Sequence, residues 1–329
     1  AKRVAIISDF AARPPHGWNH IVELAETLGA SVWDVGSRLN FPTDHPLNLT
    51  MDPDGCYEGV DVVLTLVVAD FEKHTHVRDI ATRTVVSKGQ PKATWIDIGF
   101  TDIETSKWSM DYARPYYAQQ RMVADPVTTV PQLTRLLKER IAKTSGLGEK
   151  IAQRKEAIGK RHAETRTKWS KQAQEHWDSK PMTVPRLALE VWDAIKGEDW
   201  VLTAGDLGSW GKKLWNFDRP YCHGGRELGT GTQIGLSLGV ALANKGTGRL
   251  VVDLQPDGDL MFDAGSLWIA AKYQIPMLVV MFNNRAYYND WNHQIDVANH
   301  RGRSLDRVDV GVGIGEAPPE FAVMARSLG

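Results

Sequence analysis

Short apolar runs alternate along this chain with stretches in which apolar residues recur every three or four positions, and this alternation constrains the fold more than any other feature. Val4-Ala5-Ile6-Ile7 reads as a buried strand. Trp18, Ile21, Val22, Leu24, Ala25 and Leu28 then follow at helical spacing until Gly29-Ala30 stops the helix. Val32-Trp33-Asp34-Val35, the run from Val60 to Val68 and Ala93 to Ile98 are further strands, and a helix from Pro131 to Ala142 closes the series. A second series follows. It comprises a helix from Pro185 to Ile195, a strand at Trp200 to Thr203, and a helix from Gly231 to Ala243. The strand Leu250 to Leu254, a helix from about Ala264 to Tyr273 and the strand Met277 to Phe282 complete it. Strands separated by helices cannot pair as hairpins, so the expected class is α/β, with two domains of mainly parallel sheet flanked by helices.

Between the two series, Glu149 to Asp178 is rich in Lys, Arg, Glu and Gln and too poor in apolar residues for a core of its own. The expected organisation is therefore an α/β domain over 1–145, a charged helical linker over 146–183 and a second α/β domain over 184–329. A chain of 329 residues accommodates two cores of ordinary size. With 39 basic and 40 acidic side chains the net charge is −1, so no overall field draws the chain to nucleic acid or an anionic membrane surface. No apolar run approaches the roughly 20 residues that span a bilayer. The two cysteines, Cys56 and Cys222, stand in no metal-ligand or redox spacing. Together these features lead to the expectation of a cytoplasmic protein whose partners are small molecules and other polypeptides.

The chemistry-bearing residues lie at the ends of two predicted strands of the second domain. Leu250 to Leu254 runs into Gln255-Pro256-Asp257-Gly258-Asp259, and Met277 to Phe282 runs into Asn283-Asn284. Ligands of open parallel sheets bind at the carboxyl ends of the strands. A carboxylate and an amide oxygen at that edge suit Mg²⁺, which takes oxygen ligands from protein, phosphate and water. Gly258 removes a side chain where backbone N–H groups must approach phosphate, and a helix beginning nearby adds its positive end. Taken alone, an Asp-Gly pair is a turn and an Asn pair a cap. Their joint placement at two strand ends points to a metal–diphosphate site.

These residues resemble a family. Asp257-Gly258 followed by Asn283-Asn284 is similar to the signature of thiamine-diphosphate-dependent enzymes, a Gly-Asp-Gly turn closed by Asn-Asn. The stretch from Ser266 to Pro276 is similar to the same stretch in benzoylformate decarboxylase and acetolactate-synthase-like proteins. The resemblance implies that Asp257, the Asn284 side chain and the Ala286 carbonyl hold Mg²⁺, with Gly258, Asp259 and Tyr287 lining the diphosphate of thiamine diphosphate. Gly229-Thr230-Gly231 resembles the glycine-rich segment under the cofactor, and the resemblance adds Leu228, Thr230 and Ser209 to the cofactor-binding set. Two positions depart from the pattern. Thr230 stands where the family has a bulky apolar wedge, and Pro256 stands where it has glycine.

Arg38 to Leu47 resembles the family's central domain, which binds FAD or ADP in some relatives. No Gly-x-Gly-x-x-Gly fingerprint supports either nucleotide here, and the domain is expected to be a spacer and assembly surface. No segment resembles the family's pyrimidine-binding domain, whose glutamate promotes loss of the thiazolium proton, and the last part of the diphosphate-binding domain also lacks a counterpart. No catalytic residue is therefore assigned. The expectation is that this chain is a fragment or subunit of a homo- or hetero-oligomeric 2-oxo-acid decarboxylase or acetolactate-synthase-like carboligase, completed by a pyrimidine-binding domain or subunit. Rival readings are a 2-hydroxyacyl-CoA or oxalyl-CoA lyase, which needs a nucleotide site in the first domain, and a non-catalytic cofactor-binding subunit. His293 and His300 are expected to be loop residues, and Arg285 to Glu316 a loop that closes over the cofactor.

Overall fold

Aliphatic and β-branched runs favour strands because their branched side chains pack on a pleated surface, and the N-terminal runs form strands as expected. A computed structural model describes residues 2–13, 16–36, 38–69, 76–79, 84–87, 93–100, 118–225 and 229–329. The strands are β1 Val4–Ser8, β2 Ser31–Asp34, β3 Val62–Leu66, β4 His76–Arg78, β5 Val85–Ser87, β6 Thr94–Gly99, β7 Gln120–Val123, β8 Trp200–Leu202, β9 Leu250–Pro256 and β10 Leu278–Phe282. The chain divides into two compact units. The first comprises Ala1–Val77, Val85–Trp192 and Ser209–Pro220, and the second Arg78–Thr84, Asp193–Gly208 and Tyr221–Gly329.

The first unit is built on a five-stranded sheet of order β2-β1-β3-β6-β7 in which neighbouring strands run parallel. Ile6 sits between Val32 and Leu64 in the sheet, and the successive residues Ala5, Ile6 and Ile7, which point to alternate faces, are all buried, so β1 is apolar on both faces, as a sheet covered by helices requires. Strand β7, Gln-Arg-Met-Val at the sheet edge, has no apolar run to announce it. The closing helix begins at Pro126 rather than Pro131. Asp125 caps it by accepting the Val127 N–H at 2.9 Å, Pro126 loses nothing in the first turn, and Pro131 is absorbed inside the helix.

The charged stretch is the helix Leu147–Gln174, and it is packed as part of the first unit. Ile151, Ile158 and Ala173 are its buried residues, spaced so that a narrow apolar stripe suffices. Arg161 grips Asp52 with two hydrogen bonds, at 2.7 and 2.8 Å, and Arg166 donates to the carbonyls of Thr43 and Leu214 and to Asn216. Trp215 and Phe217 are fully buried, and the Thr43 hydroxyl donates to the Trp215 carbonyl and accepts the Phe217 N–H. These contacts explain why Ser209–Pro220 clusters with the first unit although the chain has already entered its second α/β series.

In the second unit β10-β9-β8 form a parallel sheet in which Leu278 pairs with Val252 and Phe282 with Pro256. Val201, Leu238, Ala241, Val251 and Ile275 form its buried cluster against the helix Gln233–Asn244. Because β9 and β10 are parallel and end in register, the residues following Pro256 and Phe282 emerge side by side at one sheet edge. Among the described residues no helix is long and apolar enough to cross a membrane. Cys56 and Cys222 are free thiols buried in the protein, and burial pushes the Cys56 thiol up to about 12, which keeps it protonated and inert.

Candidate cofactor and metal site

At that edge of the second unit lies a cleft of about 560 Å³ lined by Thr230, Asp257, Gly258, Asn284, Ala286 and Tyr287, among others. Asp257 opens the short helix Asp257–Phe262 directly after β9 and is 1% exposed. Its Oδ2 accepts the Arg285 N–H at 2.6 Å, which binds the acidic turn to the turn that follows β10. Arg285 adopts φ +59°, a left-handed conformation, and Asn284 Oδ1 accepts the Ala286 N–H at 3.0 Å. Asn is suited to such a position because its side chain can close a turn on its own backbone. Ala286 bridges Gly313, Tyr287 donates its N–H to Val312 at 2.8 Å, and Ile314 donates to the Arg285 carbonyl at 2.9 Å, so the strand-end turn is fixed from both sides.

Gly258 faces the Tyr287 ring so closely that a Cβ would lie 2.7 Å from Cδ1. The same ring meets Phe262 edge-on at 5.5 Å. Desolvation, then the charges of Asp257 and Asp259, raise the Tyr287 phenol above its ordinary value, so it stays a neutral hydroxyl donor at neutral pH. Asp259 also borders the cleft. Its Oδ2 accepts from Gln255 Nε2 at 3.1 Å, and its Oδ1 accepts the N–H of Gly231. Among the expected residues, then, Thr230, Asp257, Gly258, Asp259, Asn284, Ala286 and Tyr287 are brought together. Ser209 is not in this cleft's wall and belongs to the first unit, while Leu228 lies outside the described residues.

Among the described residues no three His, Cys, Asp or Glu side chains group as a metal site. The oxygen set here is of another kind, with one carboxylate, one side-chain amide and one main-chain carbonyl. Hard oxygen donors of low total charge fit Mg²⁺, which completes its shell with phosphate oxygens and water. The space left by Gly258 fits a diphosphate that must lie against backbone. The residues present therefore fit both groups.

The expectation for Arg285 to Glu316 is corrected in part. Tyr288–His300 is a helix of 13 residues, with Asp290 in its first turn and Ala298 buried. His293 lies on it and lines a different cleft with Arg303 and Arg307.

Behind the cleft lies a buried polar network that motif reasoning missed. Gln233 Nε2 donates to Asp253 Oδ1 at 2.7 Å and to the Leu254 carbonyl at 2.9 Å, and the hydroxyls of Thr203 and Ser237 are 2.7 Å apart beside them. Asp253 is fully buried, and burial pushes its carboxyl up to about 6 against the lowering effect of the hydrogen bonds from Gln233, Ser237 and Thr203. The available signal was Asp253 and Gln255 two apart in an apolar strand, which places both on one face. The native state takes up a proton near pH 6 and the unfolded chain only near 4, so between these values folding binds a proton and stability falls as pH rises. Asp253→Asn removes this term. Its stability relative to wild type, measured by urea unfolding, should improve by about 3 kcal/mol between pH 4 and pH 7. A pH-independent difference would mean that Asp253 does not titrate in this way.

Residues 203–329 match the family model described as thiamine pyrophosphate enzyme, C-terminal TPP binding domain. Among solved structures, the chain is similar to a protein from Mycobacterium smegmatis described as a thiamin diphosphate-dependent enzyme (17% identity, TM-score 0.63, covering 100% of this chain and 55% of that one). It is also similar to the thiamine diphosphate-dependent 4-hydroxybenzoylformate decarboxylase of Rhodococcus jostii RHA1 (17%, 0.64, 99% and 55%). Benzoylformate decarboxylase from Polynucleobacter necessarius is a third (15%, 0.63, 99% and 55%). At these identities the likeness establishes the fold, and the chain spans a little over half the length of each of these proteins. The cleft at the ends of β9 and β10 thus lies within the segment, residues 203–329, that matches the model of the thiamine pyrophosphate enzymes' C-terminal TPP binding domain.

Proposed function

We propose that this chain supplies the diphosphate- and metal-binding part of a thiamine-diphosphate- and Mg²⁺-dependent enzyme that cleaves or joins C–C bonds next to a carbonyl. The reaction class we favour is 2-oxo-acid decarboxylation or acetolactate-synthase-like carboligation. The observation that carries the reading is the register of β9 and β10, which brings Asp257 and Asn284 out at neighbouring strand ends. Asp257, the Asn284 amide oxygen and the Ala286 carbonyl would hold Mg²⁺, while Gly258, Tyr287 and Thr230 border the space for the diphosphate and thiazolium. Thiamine diphosphate, when bound, supplies a sink for the electron pair released as a bond next to a carbonyl breaks.

The chain's own part in this reading is to anchor and orient. Asp257 would offset part of the cation's charge, Tyr287 would exclude water from the Gly258 side, and the turn at Arg285 ties the two strand ends together. Proton transfer at the aminopyrimidine end needs a carboxylate within hydrogen-bond reach. We assign that carboxylate to a pyrimidine-binding domain or partner subunit rather than to Asp257 or Asp259, which sit in the acidic turn. We further read the protein as an oligomeric cytoplasmic enzyme, in keeping with its two free thiols and balanced charge.

The test is steady-state turnover of pyruvate and benzoylformate with cofactor and Mg²⁺ saturating. The homogeneous 329-residue chain should turn over neither, and a pyrimidine-binding polypeptide added to it should bring turnover toward about 1 s⁻¹, within the usual enzyme range. Comparable turnover by the chain alone would contradict the division of labour.

A further inference from the structure

The Asp259 carboxylate has both oxygens engaged by donors of the protein itself. One accepts the main-chain N–H of Gly231, 28 residues away in sequence, and the other accepts Gln255 Nε2 at 3.1 Å. An ionised carboxylate only accepts hydrogen bonds, so it has none to give to a phosphate oxygen, and its charge repels a diphosphate. Gln255 is fully buried in β9, and its Nε2 also reaches the Pro256 carbonyl at 3.3 Å. The bond to the Pro256 carbonyl orients the Gln255 amide so that its Nε2 faces Asp259.

The partner turn, Gly229-Thr230-Gly231, closes on itself through local bonds, from the Gly229 N–H to Thr232 Oγ1 at 3.2 Å and from the Thr232 N–H to the Gly229 carbonyl at 3.2 Å. Two glycines in three residues leave such a turn many conformations. The bond to Asp259 attaches it to a different element, and Gly231, at φ +85°, has no room for a side chain because a Cβ would lie 2.8 Å from Phe262 Cβ.

We infer that Asp259 is a positioning residue: its carboxylate, oriented by Gln255, latches the glycine turn carrying Thr230 to the acidic turn carrying Asp257, and so fixes the separation of two walls of the cleft. The effect on cofactor rests on the functional reading above, whereas the latch itself does not.

The experiment measures hydrogen exchange at the Gly231 amide in the unliganded chain, and separately the affinity for thiamine diphosphate with Mg²⁺. In wild type the amide should be protected. With the Gln255 amide held by its bond to the Pro256 carbonyl, Asp259→Asn puts an amide NH₂ against either Gln255 Nε2 or the Gly231 N–H, and should speed exchange about tenfold or more, in line with loss of a charge-assisted hydrogen bond. Gln255→Glu combined with Asp259→Asn reverses the polarity of the pair, conserves charge, and should restore both protection and affinity. An unprotected Gly231 amide in wild type overturns the latch whether or not any variant folds, as does unchanged exchange in Asp259→Asn. Recovery of exchange without recovery of affinity in the double variant would show instead that the Asp259 charge acts on the bound groups directly. If wild type binds no cofactor, the functional reading fails and the exchange measurement alone decides the latch.

Discussion

Asp257→Ala is expected to weaken Mg²⁺-dependent binding of thiamine diphosphate by more than about 100-fold. Removing a group that merely orients a metal ligand costs 10–100-fold, and Asp257 is assigned as a ligand itself. The substitution also takes away the acceptor for the Arg285 N–H, held at 2.6 Å with Asp257 1% exposed, so part of the loss is structural. Asp257→Asn separates the two contributions. It keeps an oxygen for the Arg285 N–H and removes the charge that compensates the cation. The fold of Asp257→Asn, followed by far-ultraviolet circular dichroism and urea midpoint, should match wild type, while cofactor affinity should fall nearly as far as in the alanine variant. If Asp257→Asn binds the cofactor normally with Mg²⁺ present, Asp257 serves the turn and not the metal.

Gly258→Ala should have the second largest effect, through space rather than charge. Gly258 is not in a left-handed conformation, so alanine costs nothing in backbone preference, but its Cβ meets the Tyr287 ring at 2.7 and 2.8 Å. The ring must swing out because its backbone cannot retreat, being bonded to Val312. Overpacking of this kind costs about 1–3 kcal/mol, and the displaced ring would also intrude on or uncover the cleft, lowering cofactor affinity at least about tenfold. Tyr287→Ala in the same chain removes the obstruction. The double variant should then lose less stability than the sum of the two single losses, a non-additive result that a double-mutant cycle reads directly. Additive losses would place the two residues out of contact.

The sheet strands were legible where burial on both faces makes a largely apolar run, as in β1, β3 and β9. Strand β7 was not, because an edge strand with polar faces carries no such run. The helix Leu147–Gln174 was legible as a helix but not as part of a core, since three well-spaced buried residues and two arginine clamps hold it to the first unit without changing its polar composition. At the candidate site, Asp257 and Asn284 stood out because each ends a strand, and the parallel register that joins them follows from the alternation of strands and helices. The network of Gln233, Asp253, Thr203 and Ser237 was hidden for the opposite reason. Its members lie within or directly after regular elements, where a single polar residue has no motif, and only the fold shows that they face one another. Tyr288–His300 forms a helix although the polar composition of Arg285 to Glu316 and its glycines, Gly302, Gly311, Gly313 and Gly315, point to a loop, because those glycines all lie beyond the helix.

The central claim is that the ends of β9 and β10 form a cation-dependent diphosphate site, and calorimetric titration of the chain with thiamine diphosphate tests it most directly. The account predicts saturable binding of one cofactor per chain with Mg²⁺, and loss of that binding when the cation is removed by a chelator and restored when it is returned. Binding of equal strength with and without a divalent cation, or no binding to a folded chain at saturating Mg²⁺, would contradict it.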